Sequence, residues 1–209
     1  MHNEVRGGGI DETKRFWEGH YQEHERRWSG KPNPVLVDVV GALPAGTVLD
    51  LGCGEGGDAI WLAGRGWRVT AVDVSATALD RASAEAVAAG VGDRIDFQRH
   101  DLAHTFPAGA FDLVSAQYLH SPIEFPRAQV LQKASSAVTP GGLLLIVDHA
   151  SVSPRSRAKP EETLTALDLG RDEWHVERLE AREREPTSSH GKHAKITDNI
   201  IAMRRRVER

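Results

Sequence analysis

Asp50-Leu51-Gly52-Cys53-Gly54-Glu55-Gly56-Gly57-Asp58 is the stretch that decides the fold. Val48-Leu49-Asp50-Leu51 reads as a short buried strand, and the glycines that follow permit a tight turn and a close approach of backbone to a ligand. A helix is expected from about Asp58 to Gly64, with apolar Ala59, Ile60, Leu62 and Ala63 in its first turns.

The same alternation continues outward. Arg68 to Asp73 reads as a second strand, and Ser75 as the N-cap of an alanine-rich helix ending near Gly90. Ile95 to Arg99 alternates like a strand, Phe111 to Ala116 makes a fourth, and a helix follows from about Pro126 to Val138. Pro140-Gly141-Gly142 is expected to break it before a fifth strand, Leu143 to Asp148, whose continuously apolar run suits a strand covered on both faces. Ser151 to Pro160 reads as a loop, and Pro160-Glu161-Glu162 opens a short helix. His175 to Glu183 and Asn199 to Arg205 alternate weakly and are expected to pair as a final antiparallel hairpin. Strands alternating with helices predict an α/β fold: a Rossmann-like doubly wound sheet, mostly parallel, with an antiparallel C-terminal hairpin strand and helices on both faces. Residues 1–34 carry a helical pattern including Phe16, Trp17 and Tyr21. They precede the first strand, so they are free to cover a single core domain spanning residues 35–209.

Composition agrees with one globular domain. The 209 residues are 40% hydrophobic and 27% charged, with a formal net charge of −4 that offers nucleic acid no basic field. Arg204-Arg205-Arg206 with Arg209 reads as a solvated basic tail. With one cysteine, Cys53, no intrachain disulfide is possible. Met1-His2-Asn3-Glu4 opens no signal peptide, and the longest apolar run, Leu143 to Val147, is too short to span a bilayer. The expectation is a cytoplasmic protein acting on a small molecule, with neither membrane nor nucleic acid as partner; the oligomeric state is left open.

Gly52, Gly54 and Gly57 satisfy G-x-G-x-x-G, and Asp73 follows about 20 residues on, so the spacing alone leaves two cofactors open. Charge separates them. A dinucleotide would set its pyrophosphate against the turn, where Asp50, Glu55 and Asp58 repel it. S-adenosylmethionine carries an ammonium, a sulfonium and no phosphate, and the same carboxylates attract it. Asp73, closing strand two, can accept from both ribose hydroxyls. Asp101, after strand three, can accept from the adenine amino group while Leu102 packs on the ring. Each acid taken singly also suits a turn or a helix cap.

From Thr47 to His149 the chain resembles the class I S-adenosylmethionine-dependent methyltransferases. Val48 to Gly56 is similar to that family's first motif, Val72-Asp73-Val74-Ser75 to the second, and Phe111-Asp112-Leu113-Val114 and Pro140-Gly141-Gly142-Leu143 to two later ones. Phe16-Trp17-Glu18-Gly19-His20-Tyr21 resembles the N-terminal element of the tellurite-resistance and thiopurine methyltransferase-like branch, and Asp198 to Arg205 its last strand.

The resemblance implies S-adenosyl-L-methionine as cofactor. It sets Asp50, Gly52 and Gly54 around the methionine part, Asp73 and Val74 at ribose, Asp101 and Leu102 at adenine, and Gln117 and Tyr118 beside the sulfonium. Trp17 and Tyr21 then lie on a covering helix, although two aromatic residues four apart also suit plain packing. Ala116-Gln117-Tyr118-Leu119-His120 departs from the N-P-P-[YF] pattern of nucleobase and glutamine-amide methyltransferases, which argues against that chemistry.

His120 and His149 follow strands four and five, on the rim where ligands bind in open α/β sheets. Either suits a general base or a histidine behind the site, and Tyr118 either shapes a pocket or packs. His190 and His193 read as loop histidines without a metal set, and Cys53 as a small turn residue. A NAD(P)-dependent oxidoreductase and a non-catalytic cofactor-binding module are the alternative functions.

Overall fold

A computed structural model describes residues 9–23, 30–153, 156–157, 159–184 and 196–207. Helices α1 (Gly9–Gln22) and α2 (Pro34–Val40) precede β1 (Thr47–Leu51). Then come α3 (Gly57–Gly64), β2 (Arg68–Asp73), α4 (Ala76–Ala88), β3 (Ile95–Arg99), β4 (Phe111–Gln117), α5 (Arg127–Ser136) and β5 (Val138–His149). The chain continues through β6 (Ser151–Ser153), β7 (Ser156–Arg157), α6 (Pro160–Leu167), β8 (Trp174–Arg184) and β9 (Ile196–Arg205).

Seven strands form one sheet in the order β3-β2-β1-β4-β5-β9-β8. The first five run parallel, β9 lies antiparallel to β5, and β8 lies antiparallel to β9 at the edge. The chain therefore reverses its direction of winding beside β1, which puts a crevice outside the carboxyl ends of β1 and β4. The expected doubly wound sheet and final antiparallel hairpin are both present.

Period-two alternation divides the strands between two cores. Val48, Val69, Ala71, Leu113, Leu145, Val147, Ile200 and Ala202 pack with Val35, Leu36 and Val40 of α2 and with Ala59, Leu62 and Ala63 of α3. Leu49, Leu51, Val72, Val114, Ala116, Leu144, Ile146 and Ile201 pack the other way, with Val130, Leu131 and Ala134 of α5 and Leu167 of α6. These sides are called the α3 face and the α5 face below. Among the described residues no helix is long and apolar enough to cross a membrane.

Three expectations need correction. Pro140-Gly141-Gly142 lies inside β5 rather than between elements. The ladder skips from Phe111↔Val138 to Leu113↔Leu143, so these residues bulge out, with Gly141 at φ 82°. The stretch Ser151 to Pro160 holds the two short antiparallel strands β6 and β7. Arg204 and Arg205 are structural rather than a solvated tail. Arg204 pairs with Glu177 and donates to Gly141 O at 2.9 Å, and Arg205 donates to Val138 O at 2.7 Å. His190, His193 and Arg209 lie outside the described residues.

Candidate cofactor and acceptor site

Asp73, Asp50, Gln117, His149 and Asp198 stand at one rim on the adjacent strands β2, β1, β4, β5 and β9. Ala71, Val48, Leu113, Val147 and Ile200 all pack on the α3 face. Strand alternation therefore sends all five polar side chains to that same face, at the end of the ladder where apolar packing stops.

The acidic part is built around the glycine turn. Gly52 (φ 72°) and Gly54 (φ 54°) hold left-handed conformations. A Cβ on Gly52 would come within 2.9 Å of Leu119 Cδ1, a contact that this flexible side chain can relieve, so the positive φ rather than lack of space calls for glycine there. Asp73 is buried and ties the turn down: Oδ2 accepts from Gly54 N at 3.0 Å, and Oδ1 from Ser75 N at 2.9 Å. Burial raises its pKa above the ordinary value, partly offset by those N–H groups.

Asp50 is only 2% exposed, and its Oδ2 has no hydrogen-bond partner. Burial first, then the nearby charges of Asp58 and Asp73, push its pKa well up. Asp58 is pushed up to about 6 by burial, against a backbone N–H from Asn33 at 2.6 Å. Glu55 leaves this group: it is buried in an ion pair with Arg81 at 3.0 Å, so it joins α4 to the turn rather than facing a ligand.

Asn33 was not foreseen as a site residue. Its Oδ1 accepts from Val35 N at 2.8 Å, capping α2, while its Nδ2 donates to Gln117 Oε1 at 2.9 Å. Gln117 in turn donates to Ser115 Oγ at 2.9 Å. Asn33 thus joins α2, Asp58 and Gln117. Asn33-Pro34, a capping residue before a proline at the first helical position, was the signal for it.

Glu18 was also missed. From α1 it accepts from Ser75 Oγ at 3.0 Å, Ala76 N at 2.9 Å, Thr77 N at 3.3 Å and Thr77 Oγ1, so it caps the first turn of α4 next to Asp73. Arg99 Nη2 stands 4.0 Å away. On the same helix Tyr21 is buried and Trp17 half-buried, with ring centroids 6.5 Å apart.

At the end of β3, Asp101 is buried. Its Oδ1 accepts from Ala103 N at 3.2 Å and its Oδ2 lies 3.2 Å from His104 Nδ1. Leu102 is buried on the α5 face, and the half-buried Val74 accepts from Arg99 Nε through its carbonyl at 2.9 Å.

The two histidines part company. His120 Nε2 is 3.4 Å from Asp148 Oδ1, an oxygen that Arg127 Nη2 already holds at 2.5 Å; Thr163 reaches the other oxygen at 3.4 Å. Asp148 alternates with His149, so this cluster belongs to the α5 face. His149 stacks on Tyr118 with centroids 4.2 Å apart, and its Nδ1 lies 3.3 Å from Asp198 Oδ1. Tyr118 (φ 52°) donates its hydroxyl to Asp198 Oδ2 at 2.9 Å, as does Arg184 Nε at 2.5 Å. Burial works to raise the Asp198 pKa, but hydrogen bonds from His149, Arg184 and Tyr118 outweigh it and hold the group below the ordinary value. Among the described residues no three metal-ligating side chains converge.

Residues 48–142 match the family described as methyltransferase domain. The chain is 30% identical over 147 residues to the probable thiol methyltransferase 2 of Arabidopsis thaliana, covering 66% of this chain and 65% of that protein. It spans from 33% to 65% of the length of the first curated relatives it matches. A solved structure concerned with conversion of a disulfide bond into a thioacetal group during echinomycin biosynthesis is 26% identical. It superposes with a TM-score of 0.71 and covers 92% of this chain and 93% of that one. TehB from Haemophilus influenzae, 17% identical, shares the fold with a TM-score of 0.68 over 91% of this chain and 67% of its own. Sequence motifs, strand order and these likenesses agree in supporting a class I S-adenosylmethionine-dependent methyltransferase.

Proposed function

We propose that this chain binds S-adenosylmethionine at the ends of β1, β2 and β4 and transfers its methyl group to a small-molecule nucleophile, with sulfur the leading acceptor atom. The carrying observation is Asp50, buried with one unpaired oxygen beside two further carboxylates at a glycine turn. Such a group is costly unless a cation completes it. An ammonium does so; the pyrophosphate of a dinucleotide makes the cost larger, which tells against an oxidoreductase.

When bound, S-adenosylmethionine supplies a methyl group made electrophilic by positive sulfur. The chain's own part is alignment and exclusion of water. Asp50 and Asp58, with the open backbone at Gly52 and Gly54, hold the amino-acid end. Asp73, already oriented by Gly54 and Ser75, takes the ribose hydroxyls with Val74 alongside. Asp101 borders adenine, with Leu102 packed behind it on the α5 face. Gln117, fixed by Asn33 and Ser115, and Tyr118 border the sulfonium, and α1, held to the start of α4 through Glu18, covers the cofactor with Trp17 and Tyr21.

The thiol methyltransferase relative and the disulfide chemistry named for the 26% identical structure weigh toward sulfur. A lone cysteine fits a cytoplasmic location. Calorimetry with S-adenosylhomocysteine, followed by a homocysteine-release screen of thiols, phenols and amines, tests the reading. Binding with turnover on thiols is expected. An absence of binding overturns the whole reading, and binding without turnover on any acceptor supports a non-catalytic module.

A further inference from the structure

We infer that His149 and Asp198 form a general-base pair for the acceptor, so that the nucleophile arrives with its proton on, as a thiol or a phenol does, rather than as a thioether or a strong acid's anion. The inference rests on the methyl-transfer reading and names its substrate class.

The geometry supplies three parts of a base. A carboxylate only accepts, so the Nδ1···Asp198 Oδ1 contact of 3.3 Å puts the ring proton on Nδ1 and leaves the lone pair on Nε2. The ring is held flat by Tyr118 stacked at 4.2 Å. It is 41% exposed, where Asp198 is 2% exposed, so the base is reachable while its partner is not. Among the described residues, the charged and titratable groups around the ring are Asp198 from β9, Arg184 from β8 and Tyr118 from the end of β4. Tyr118 is no rival base. Burial and the Asp198 charge push its hydroxyl up to about 12, and it donates to Asp198. The other histidine pair, His120 with Asp148, turns its Nε2 inward on the α5 face. His149 is two strands from Asp50, about 10 Å along the rim, which leaves room for a sulfonium at Gln117 between them.

The step balances. The acceptor's X–H bond breaks and its proton goes to Nε2 of His149, making an imidazolium faced by Asp198. The electron pair left on X forms the X–C bond as the methyl's bond to sulfur breaks, its pair staying on that sulfur.

His149→Ala and Asp198→Asn are compared with wild type on acceptors graded in pKa. With His149→Ala, kcat is expected to fall roughly 10²- to 10⁴-fold on high-pKa thiols and phenols. It should fall less than about tenfold on a thiophenol that is ionised at assay pH, with S-adenosylhomocysteine affinity unchanged. Nitrogen-15 NMR of the uncomplexed protein should show the Nδ1–H tautomer at His149, weakened in Asp198→Asn. An Nε2–H tautomer, or equal losses across all acceptors, overturns the pair. The tautomer measurement needs no acceptor, so the pair is tested even where the panel lacks the true substrate. A wild type that fails to bind S-adenosylhomocysteine overturns the methyltransferase reading instead.

Discussion

The Glu18 carboxylate accepts from the backbone N–H of Ala76 at 2.9 Å, so a side chain of α1 caps α4, a helix that begins beyond β1, α3 and β2. The cap stands beside Asp73, and Glu18 raises the Asp73 pKa through its charge. Helix α1 and Asp73 are therefore one electrostatic unit.

Glu18→Ala should cost about 1 kcal/mol, the usual loss on removing a helix cap, and release α1 from α4. Glu18→Gln keeps an acceptor and should lose less. Burial alone would raise the Glu18 pKa, but the Thr77 and Ser75 hydroxyls and the Ala76 and Thr77 N–H groups bring it below the ordinary 4.5. A lowered acid stabilises the fold above its unfolded value and loses that stabilisation as pH falls through the folded one. The melting-temperature gap between wild type and Glu18→Ala should therefore narrow on acidification below about pH 4.5, which thermal melts over a pH series will show.

Asp73→Asn keeps the size of the side chain but removes the charge that accepts from two backbone N–H groups and that is proposed to hold the ribose. Charge-assisted hydrogen bonds are the stronger ones, so affinity for S-adenosylhomocysteine should fall roughly 10- to 100-fold. Isothermal calorimetry at fixed pH measures it; an unchanged affinity would remove Asp73 from the site.

Asp58 carries a pH signature. Its pKa of about 6 is above the ordinary 3.8, so the folded protein holds this proton longer than the unfolded chain does. Such a group lowers stability as pH rises from about 4 through 6. Asp58→Asn cancels the effect, so the variant without ligand should gain stability relative to wild type over that range. Cofactor affinity should move oppositely, rising with pH in the wild type as the charge appears and flattening in Asp58→Asn. Paired melts and titrations at pH 4.5, 6 and 7.5 decide it.

Gly56→Ala probes the turn from behind. Gly56 sits at φ 82°, and an added Cβ would come within 2.8 Å of Ala82 Cβ on α4. Left-handed strain alone costs about 1–2 kcal/mol, and the clash adds to it. At roughly 2–4 °C per kcal/mol for a chain of this size, a drop of several degrees in melting temperature is expected, with weaker cofactor binding as α3 and α4 separate.

Much of the proposed cofactor end was legible because it is local. The glycine turn, Asp50, Asp58 and the strand-end acids Asp73 and Asp101 lie within runs whose periodicity sets both element and facing. The sign of the charges then selected the ligand. Glu55 shows the limit: in sequence it is one more acid in the turn, and only packing gives it to Arg81. Pro140-Gly141-Gly142 looked like a boundary, yet β5 carries it as a bulge because its neighbour β4 is long enough to pair on both sides.

The amino-acid sequence by itself determined the order of strands and helices, the glycine turn after β1 and the negative sign of the rim, since these follow from neighbours within a few residues. The proposed acceptor end was decided only in three dimensions. Asp198 opposes His149 because β9 inserts antiparallel between β5 and β8, and Asn33 meets Gln117 across 84 positions. No local period encodes which distant strand supplies a partner; that depends on how the whole sheet closes its hydrogen-bond ladder.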